Sequence, residues 1–289
     1  MFNVIAKDEL APGVFRFVVE APQIARKARP GQFVILRLNE HGERIPLTIA
    51  NHDEERGTLT LFVQAVGKTS LDLSRLEKDQ GILDIAGPLG LPTEIERFGT
   101  VALVGGGFGI AALWPIARAL TAIGNKTIAL MGARSKNLLL LQEEMHAAAS
   151  EVRVATNDGS AGMRGLVTDL LDRVIRDEGP VHRVIAIGPV VMMKAVCALT
   201  RAHNIPTRVS LNPIMIDGTG MCGACRVMVD GKMRFTCVDG PEFDGHLVDF
   251  EGLENRLRGY LPEEQQARER LTGGQECRLD TTGAARSQP

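Results

Sequence analysis

Three of the five cysteines in this 289-residue chain lie in one short stretch, and their spacing restricts what that stretch can fold into. Cys222 and Cys225 are separated by two residues within the run Asp-Gly-Thr-Gly-Met-Cys-Gly-Ala-Cys, and Cys237 follows after a strand-like segment. The glycines of this run permit backbone turns that a Cβ atom would hinder. The pattern therefore predicts a tight loop that brings two thiolates together.

The segment between the paired cysteines and Cys237 has the pattern of a β-hairpin. Residues 226–229 and 232–235 are strand-like, and the Asp230-Gly231 pair between them is a strong two-residue turn signal. Such a hairpin would fold Cys237 back toward the paired cysteines.

The same cysteines have a spacing that suits iron–sulfur ligation. A plant-type [2Fe–2S] site uses C-x4-C-x2-C with a distant fourth cysteine, and Asp217 stands where the first of these would be. Since a carboxylate also binds iron, the candidate ligand set is Asp217, Cys222, Cys225 and Cys237. A zinc site with the same ligands and a metal-free structural loop stay open as alternatives. A disulfide is not expected in a chain with an odd cysteine count and no export signal.

Residues 2 to about 98 have the pattern of an all-β unit, because short β-branched or alternating runs are separated by turn-forming residues. The predicted strands are Phe2–Lys7, Val14–Glu20, Gln32–Leu38, Leu47–Ala50, Thr58–Val66 and Gly81–Ala86. Six strands at this spacing predict a small antiparallel β-barrel over residues 1–98.

Two segments interrupt the strand pattern of the barrel. The first puts a lone arginine and a hydroxyl beside a rigid proline, and the second opens a helix whose first backbone amides suit a phosphate. Their residues are Arg44, Pro46, Leu47 and Thr48 in the first, and Gly67, Lys68, Thr69 and Ser70 in the second. Taken alone, a surface ion pair and a plain helix cap explain them equally well.

From residue 99 the pattern changes to strands that alternate with helices. The predicted strands are Thr100–Val104, Thr127–Met131, Val152–Thr156, Val184–Ile187 and Pro206–Leu211, and the predicted helices are Ala111–Ile123, Leu138–Ala149, Leu166–Asp177 and Val191–His203. This alternation predicts a parallel sheet with right-handed crossovers, an α/β nucleotide domain over residues 99–212.

Ligands bind such sheets at the carboxyl ends of the strands, and glycines follow the first strand there. They are Gly105, Gly106, Gly107 and Gly109, and the helix that follows them has an N-terminus suited to a pyrophosphate. Their spacing departs from G-x-G-x-x-G, so a loop used only for close packing stays open. Gly188 and Pro189 end the fourth strand at the same edge.

The remainder of the chain divides into a small C-terminal [2Fe–2S] segment, residues 213–250, and a charged arm and tail, residues 251–289. A helix with proline at its start is predicted over Pro262–Leu271. Cys197 lies within a predicted helix and is interpreted as a core residue, and Cys277 is interpreted as incidental.

The order of barrel, glycine-loop domain and cysteine segment resembles the ferredoxin–NADP reductase superfamily over roughly residues 1–270. The run from Leu211 to Arg226 and the run from Cys237 to Gly245 are similar to small subunits of NADH-dependent ferredoxin:NADP+ oxidoreductase and of sulfide dehydrogenase. In those subunits an aspartate joins three cysteines at the cluster. The electron-transfer subunit of dihydroorotate dehydrogenase is also similar, but it has a fourth cysteine where Asp217 stands.

The resemblance implies roles for the candidate residues. Arg44 would meet the FAD phosphates and Thr48 the flavin ring, while the segment from Gly67 to Ser70 would form a second FAD phosphate loop. The glycine loop would bind the nicotinamide nucleotide, with Gly188 and Pro189 beside the nicotinamide. No catalytic acid or base is implied, because hydride transfer needs only positioning.

Nucleotide choice depends on the residues after the second α/β strand. A basic group there can accept a 2′-phosphate, and Arg134 and Lys136 therefore favour NADP(H). The resembling subunits favour NAD(H), and a lone arginine can stack on adenine. NAD(H) is the predicted cofactor, and NADP(H) is the alternative.

The resemblance further implies an electron-transfer subunit that exchanges hydride between NAD(H) and FAD and single electrons through the cluster. Its partner would be a larger glutamate-synthase-like subunit with FAD and [4Fe–4S] clusters, which bifurcates electrons and connects indirectly to ferredoxin. The alternatives are a sulfide dehydrogenase or hydrogenase-linked subunit, a dihydroorotate dehydrogenase electron-transfer subunit, and a non-enzymatic zinc-binding interaction protein.

The charge and hydropathy of the chain exclude some partners. The net charge of −2 gives no electrostatic basis for binding nucleic acid or an anionic membrane. The longest apolar stretch, residues 101–117, is interrupted by glycines and a proline, so it is not expected to span a membrane. Without a targeting segment, the predicted location is the cytoplasm.

Overall fold

The computed structural model describes residues 1–177 and 179–272, and its N-terminal part is a seven-stranded antiparallel sheet. The strands are β1 (Phe2–Ala11), β2 (Val14–Glu20), β3 (Phe33–Arg37), β4 (Arg44–Asp53), β5 (Thr58–Gln64), β6 (Gly81–Ile82) and β7 (Asp84–Leu89). Two short helices, α1 (Pro22–Ala25) and α2 (Lys68–Ser74), connect them.

The sheet closes into the predicted barrel through a single extended segment. The strand order is β6-β1-β2-β5-β4-β3-β7, so β6 and β7 lie at opposite edges although they are consecutive in the chain. The run predicted as the sixth strand therefore divides at Leu83, and its halves pair with β1 and β3. Val34 and Leu36 of β3 are fully buried in the core that this closure encloses.

The α/β part is a second seven-stranded sheet with helices on both faces. Its strands are β8 (Thr100–Gly106), β9 (Lys126–Ala133), β10 (Glu151–Thr156), β11 (Met163–Arg164), β12 (Arg183–Ile187) and β13 (Thr207–Ser210), and its helices are α3 (Gly109–Ala122), α4 (Gln142–Ala148), α5 (Val167–Asp177) and α6 (Val190–Ala202). The predicted alternation is confirmed, and the order is β11-β10-β9-β8-β12-β13 followed by one more strand.

One predicted helix of this sheet is wrong in its first half. Residues 138–149 were expected to be helical throughout, but α4 begins only at Gln142, after a short 3₁₀ turn over Lys136–Leu138. Leu141 has a left-handed backbone, φ 55°, which a continuous helix cannot contain. Leu139, Leu140 and Leu141 are instead buried in a non-helical link between the 3₁₀ turn and α4.

The C-terminal elements attach the cysteine segment to the rest of the molecule. They are β14 (Arg226–Val229), β15 (Lys232–Phe235), α7 (Thr236–Asp239), β16 (Glu242–Asp244), α8 (Phe250–Arg258) and α9 (Leu261–Thr272). β14 and β15 form the predicted hairpin, with φ 53° at Asp230 and 67° at Gly231, as a tight two-residue turn requires.

β16 was not predicted, and it makes the α/β sheet mixed. It pairs antiparallel with β13, with Phe243 opposite Val209. Cys197 is buried in the same core, as expected, while Cys277 and the tail from residue 273 lie outside the described residues. Among the described helices, none combines the length and apolar character that a bilayer crossing requires.

The barrel and the α/β sheet share a hydrophobic core through α3. Phe62 of β5 meets Trp114 of α3 edge to face, with ring centroids 6.5 Å apart. Arg118, one turn further along α3, lies over the Trp114 ring and donates to Asn51 Oδ1 at 2.8 Å. These contacts hold α3 against the side of the barrel that carries β4 and β5.

Candidate functional site

The hairpin returns Cys237 to Cys225, as predicted. Their Sγ atoms are 3.2 Å apart, and the two side chains are only 3% and 2% exposed. Both belong to one buried cluster with Phe33 and Ile35 of β3, on the outer face of the barrel. Burial, together with the neighbouring Cys225, raises the pKa of the Cys237 thiol to about 12 in the absence of a metal.

Cys222 occupies a different position, because its side chain is exposed on the loop that precedes Cys225. The loop turns through three glycines with positive φ, Gly218 (76°), Gly220 (83°) and Gly223 (67°). A Cβ on Gly218 would lie 2.6 Å from Leu89 Cδ1, so the loop rests directly on the barrel. The glycines of the sequence pattern therefore serve both the turn and this close approach.

The Asp217 carboxylate organises this loop by accepting hydrogen bonds from backbone N–H groups of the loop. Its Oδ1 accepts from the Thr219 N–H and its Oδ2 from the Cys222 N–H, each at 2.9 Å. The Thr219 bond is the main cause that holds the pKa of this carboxyl below its ordinary value. In the described part of the chain, no three His, Cys, Asp or Glu side chains are arranged to hold a metal ion as they stand.

The donor set nevertheless fits an iron–sulfur cluster. Thiolates are the usual cluster ligands, and the segment supplies three thiols and one carboxylate, two of the thiols already side by side at Cys225 and Cys237. Beside Cys237, the buried Thr236 hydroxyl lacks a hydrogen-bond partner among the described residues, and buried polar groups of native proteins usually have one. In the part of the chain that the structure describes, the Thr236 hydroxyl is therefore a free donor beside one of the candidate ligands.

The predicted flavin segment lies on β4, directly beside this region. Pro46 pairs with Ile35 and Thr48 with Phe33. Directly opposite residues share a face of the sheet, so Pro46 and Thr48 face outward beside the two residues that contact the cysteines. Leu47 pairs with Val34 and packs against the barrel core, so only its backbone is available to a ligand on the outer face.

The two predicted phosphate-binding segments also meet in space. Arg44 is exposed at the start of β4, and its neighbour Glu43 accepts a hydrogen bond from Thr69 Oγ1 at 3.0 Å. Ser70 Oγ accepts from the Gly67 N–H at 2.9 Å, so helix α2 begins at Lys68 with a side-chain cap. The Glu43–Thr69 bond was not predicted, because nothing in the local sequence pattern pairs two distant loops.

The glycine loop lies where β8, β9 and β12 end together. Gly107 has φ 53° and donates to the Gly132 carbonyl at 3.0 Å. A Cβ on Gly109 would lie 2.1 Å from the Ile187 carbonyl oxygen. Its departure from the G-x-G-x-x-G spacing thus has a steric reason, since α3 starts in contact with the end of β12.

The turn at Gly188 and Pro189 closes against the same loop. A Cβ on Gly188 would lie 3.0 Å from the Gly106 carbonyl oxygen, and a Cβ on Gly106 would lie 3.0 Å from Pro189 Cδ. The glycines of both turns therefore allow two backbones to touch at the carboxyl edge of the sheet. Gly105, paired with Ile187, completes this edge.

The coverage of β3 by the cysteine segment was missed, although a signal for it existed. Residues 33–36 are four apolar residues in succession, and residues 32–36 are all buried, with no alternation between the faces of the strand. A continuous apolar run is typical of a strand that is covered on both sides.

Comparison with known proteins identifies the family. The family described as the iron–sulfur cluster binding domain of dihydroorotate dehydrogenase B matches residues 212–249. A Thermotoga maritima protein, a homologue of the dihydroorotate dehydrogenase B (NAD(+)) electron transfer subunit, is 49% identical over 93% of this chain and 95% of its own. This chain belongs to the family of dihydroorotate dehydrogenase B electron transfer subunits and their homologues.

Comparison with solved structures shows which known proteins share the fold of this chain. A chain from the structure of the NADH-dependent reduced ferredoxin-NADP oxidoreductase, described for flavin-based electron bifurcation, is 46% identical and matches with a TM-score of 0.89 over 94% of this chain and 98% of its own. Phthalate dioxygenase reductase, at 16% identity and a TM-score of 0.56 over 79% of this chain and 85% of its own, shares the fold alone. The predicted resemblance to the ferredoxin–NADP reductase superfamily is confirmed.

Proposed function

We propose that this chain is the flavin and iron–sulfur electron-transfer subunit of a heteromeric NAD(H)-dependent oxidoreductase. One observation carries the proposal: Phe33 and Ile35 belong to the same buried cluster as the cysteine pair, and their direct neighbours on β4 are Thr48 and Pro46 of the predicted flavin segment. The residues that would hold a flavin therefore lie directly beside a cluster of residues that contains two of the candidate iron ligands.

The residues have distinct proposed duties in holding the cofactors. Arg44 and the amides at the start of α2 bind the FAD phosphates, and Thr48 lies against the flavin ring. The glycine loop and the Gly188-Pro189 turn position the nicotinamide nucleotide. Asp217, Cys222, Cys225 and Cys237 hold a [2Fe–2S] cluster. When bound, FAD exchanges a hydride with the nicotinamide and single electrons with the cluster.

The protein contributes position, and no side chain is required as an acid or base. The contact between α3 and the barrel, with Phe62 against Trp114 and Arg118 bonded to Asn51, fixes the glycine loop relative to β4. Hydride transfer needs only contact between two correctly oriented rings, so such positioning lowers much of its activation free energy.

The partner is a larger subunit. We propose that it is a glutamate-synthase-like flavoprotein with [4Fe–4S] clusters that bifurcates electrons, with ferredoxin as an indirect partner. The 46% identity to a chain of the bifurcating ferredoxin-NADP oxidoreductase supports this. We also propose a cytoplasmic location, because reduced cysteines persist there.

The test is purification of the full chain under anaerobic conditions. We expect yellow-brown protein with about one FAD and about two iron atoms per chain, and bleaching of the flavin band on addition of NADH. Colourless protein that binds zinc would support the non-enzymatic alternative instead.

A second candidate, the electron-transfer subunit of a dihydroorotate dehydrogenase, has a specific observation in its favour. The family model that matches residues 212–249 is that of dihydroorotate dehydrogenase B. Co-expression with each class of large subunit, followed by size-exclusion chromatography and assay of dihydroorotate oxidation, separates the two. Stable assembly with a dihydroorotate dehydrogenase and dihydroorotate-dependent reduction of the cluster would favour the second candidate.

A further inference from the structure

Both residues between the paired cysteines of the candidate cluster loop have their backbone carbonyls bound by arginine side chains. The Gly223 carbonyl accepts from Arg226 Nη1 at 3.1 Å, and the Ala224 carbonyl accepts from Arg256 Nη2 at 2.9 Å. Arg226 follows the loop directly at the start of β14, whereas Arg256 reaches it from α8 in the C-terminal arm. The loop is thus held from outside the cysteine segment as well as from within it.

Helix α8 is fixed to the hairpin and to the α/β core, so it is a firm support for Arg256. The Asp249 N–H donates to the Met228 carbonyl of β14 at 2.9 Å, and Asp249 Oδ1 caps the helix by accepting from the Gly252 N–H at 2.9 Å. Leu253 is buried in the α/β core. Since residues three apart are neighbours on one side of a helix, the burial of Leu253 turns Arg256 toward the protein.

The positive charge of Arg256 is not neutralised by a nearby acid. Within residues 1–177 and 179–272 its guanidinium forms no salt bridge, and Glu254 on the same helix is paired instead with Lys194 at 3.9 Å. Arg256 is half-buried, while Arg226 is exposed. Solvent and salt screen an exposed charge more strongly than a partly buried one, so Arg256 is the arginine whose charge acts more strongly on the loop.

The bond from Arg256 bears directly on a candidate iron ligand. The Ala224 carbonyl belongs to the peptide that enters Cys225, and the Cys225 side chain is buried beside Cys237. A donor on this carbonyl restricts the orientation of that peptide. The same donor holds a positive charge next to the stretch of backbone that carries the thiol.

We infer that Arg256 is a positioning residue, which holds the loop between Cys222 and Cys225 and whose charge raises the reduction potential of a cluster bound there. This deepens the proposed function and rests on it. The four candidate ligands are anionic when they bind iron, and reduction adds one more negative charge. A cation held nearby stabilises the reduced form more than the oxidised form, so it shifts electrons from flavin toward the cluster.

The test is an EPR-monitored redox titration of the full-length chain, purified anaerobically. Arg256→Gln removes the charge and keeps an N–H donor, whereas Arg256→Lys keeps the charge and can still make a single bond to the carbonyl. Arg258→Gln, at an exposed position of α8, is the control with the same loss of charge.

We expect reduction of the cluster in Arg256→Gln to be about threefold to tenfold less favourable, a midpoint about 30–59 mV more negative than in the wild type. Arg256→Lys and Arg258→Gln should stay close to the wild-type midpoint. Iron release to a chelator is the second readout, and it should be faster in Arg256→Gln than in Arg258→Gln because the loop is held less firmly.

Each other outcome overturns the inference. An unchanged midpoint in Arg256→Gln removes Arg256 from the control of the potential. Equal shifts in Arg256→Gln and Arg256→Lys would assign the effect to packing, and an equal shift in Arg258→Gln would assign it to overall charge. A wild type that holds no iron–sulfur cluster defeats the proposed function together with the inference, whereas a loaded wild type with unaffected variants defeats the inference alone. Thermal unfolding of each variant verifies that the fold is intact.

Discussion

Asp217 Oδ2 lies 2.9 Å from the backbone nitrogen of Cys222 and accepts its hydrogen bond. The carboxylate thus shapes the loop whose thiols are candidate iron ligands, and it is also the candidate fourth ligand. The two roles predict different consequences of substitution, and only the ligand role changes the electronic properties of the iron.

Asp217→Cys should retain a [2Fe–2S] cluster with a lower reduction potential than the wild type. A thiolate donates more electron density to iron than a carboxylate does, and the site then resembles a plant-type ferredoxin. Asp217→Ala should make the cluster labile. An EPR-monitored redox titration tests this, with Asp239→Asn as a control for charge near the cluster. An unchanged spectrum and midpoint in Asp217→Cys would limit Asp217 to its role in the loop.

Arg44→Ala should weaken FAD binding by about 1.5–3 kcal/mol, the value of a hydrogen bond to a charged group. The fold should persist, because Arg44 is exposed at the edge of β4. Titration of FAD into the apoprotein measures the change. The matched control is Arg56→Ala, whose side chain is 83% exposed on the turn after β4. Equal FAD affinity for both variants would remove Arg44 from the site.

Gly109→Ala should destabilise the protein by about 1–3 kcal/mol, the usual cost of inserting a methyl group into a packed region. The added Cβ would lie 2.1 Å from the Ile187 carbonyl oxygen, which belongs to a strand and cannot move aside freely. Gly259→Ala, where the nearest atom would be 3.4 Å away, is the control. Denaturant unfolding compares them, and equal midpoints would contradict the close approach of α3 and β12.

Glu242→Gln should change how stability depends on pH. The Glu242 carboxyl is enclosed although part of the residue is exposed, and burial raises its pKa above the ordinary 4.5 despite a 2.5 Å bond from Thr93 Oγ1. Between the ordinary and the raised pKa the folded protein binds more protons than the unfolded chain, so stability falls as pH rises through this range.

The Glu242→Gln variant should lack this decline. The Tm of the variant minus the Tm of the wild type should therefore increase as pH rises from 4.5. Thermal unfolding from acidic to neutral pH measures it. Glu40→Gln, in the exposed turn between β3 and β4, is the control. Parallel pH profiles for the wild type and Glu242→Gln would show that this carboxyl titrates normally.

The parts of the fold that depend on local sequence were predictable, and those that depend on distant pairing were not. Asp230-Gly231 fixed the hairpin because a two-residue turn is encoded in two residues. The three-residue strand β16 has too few positions to show a period, and its partner β13 is more than thirty positions earlier. Likewise, the inward orientation of Leu47 depends on its register with Val34, which no local pattern specifies.

The cysteine segment matches a sequence family on its own, yet its contacts belong to both neighbouring sheets. β16 hydrogen-bonds to β13, Val227 and Val229 are buried in the α/β core, and Cys225 and Cys237 pack on β3 of the barrel. The stretch is a separate unit at the level of sequence, but in the structure it depends on contacts with both sheets. Grafting residues 212–249 onto another reductase would transfer the ligands and leave behind the two surfaces that give the loop its shape.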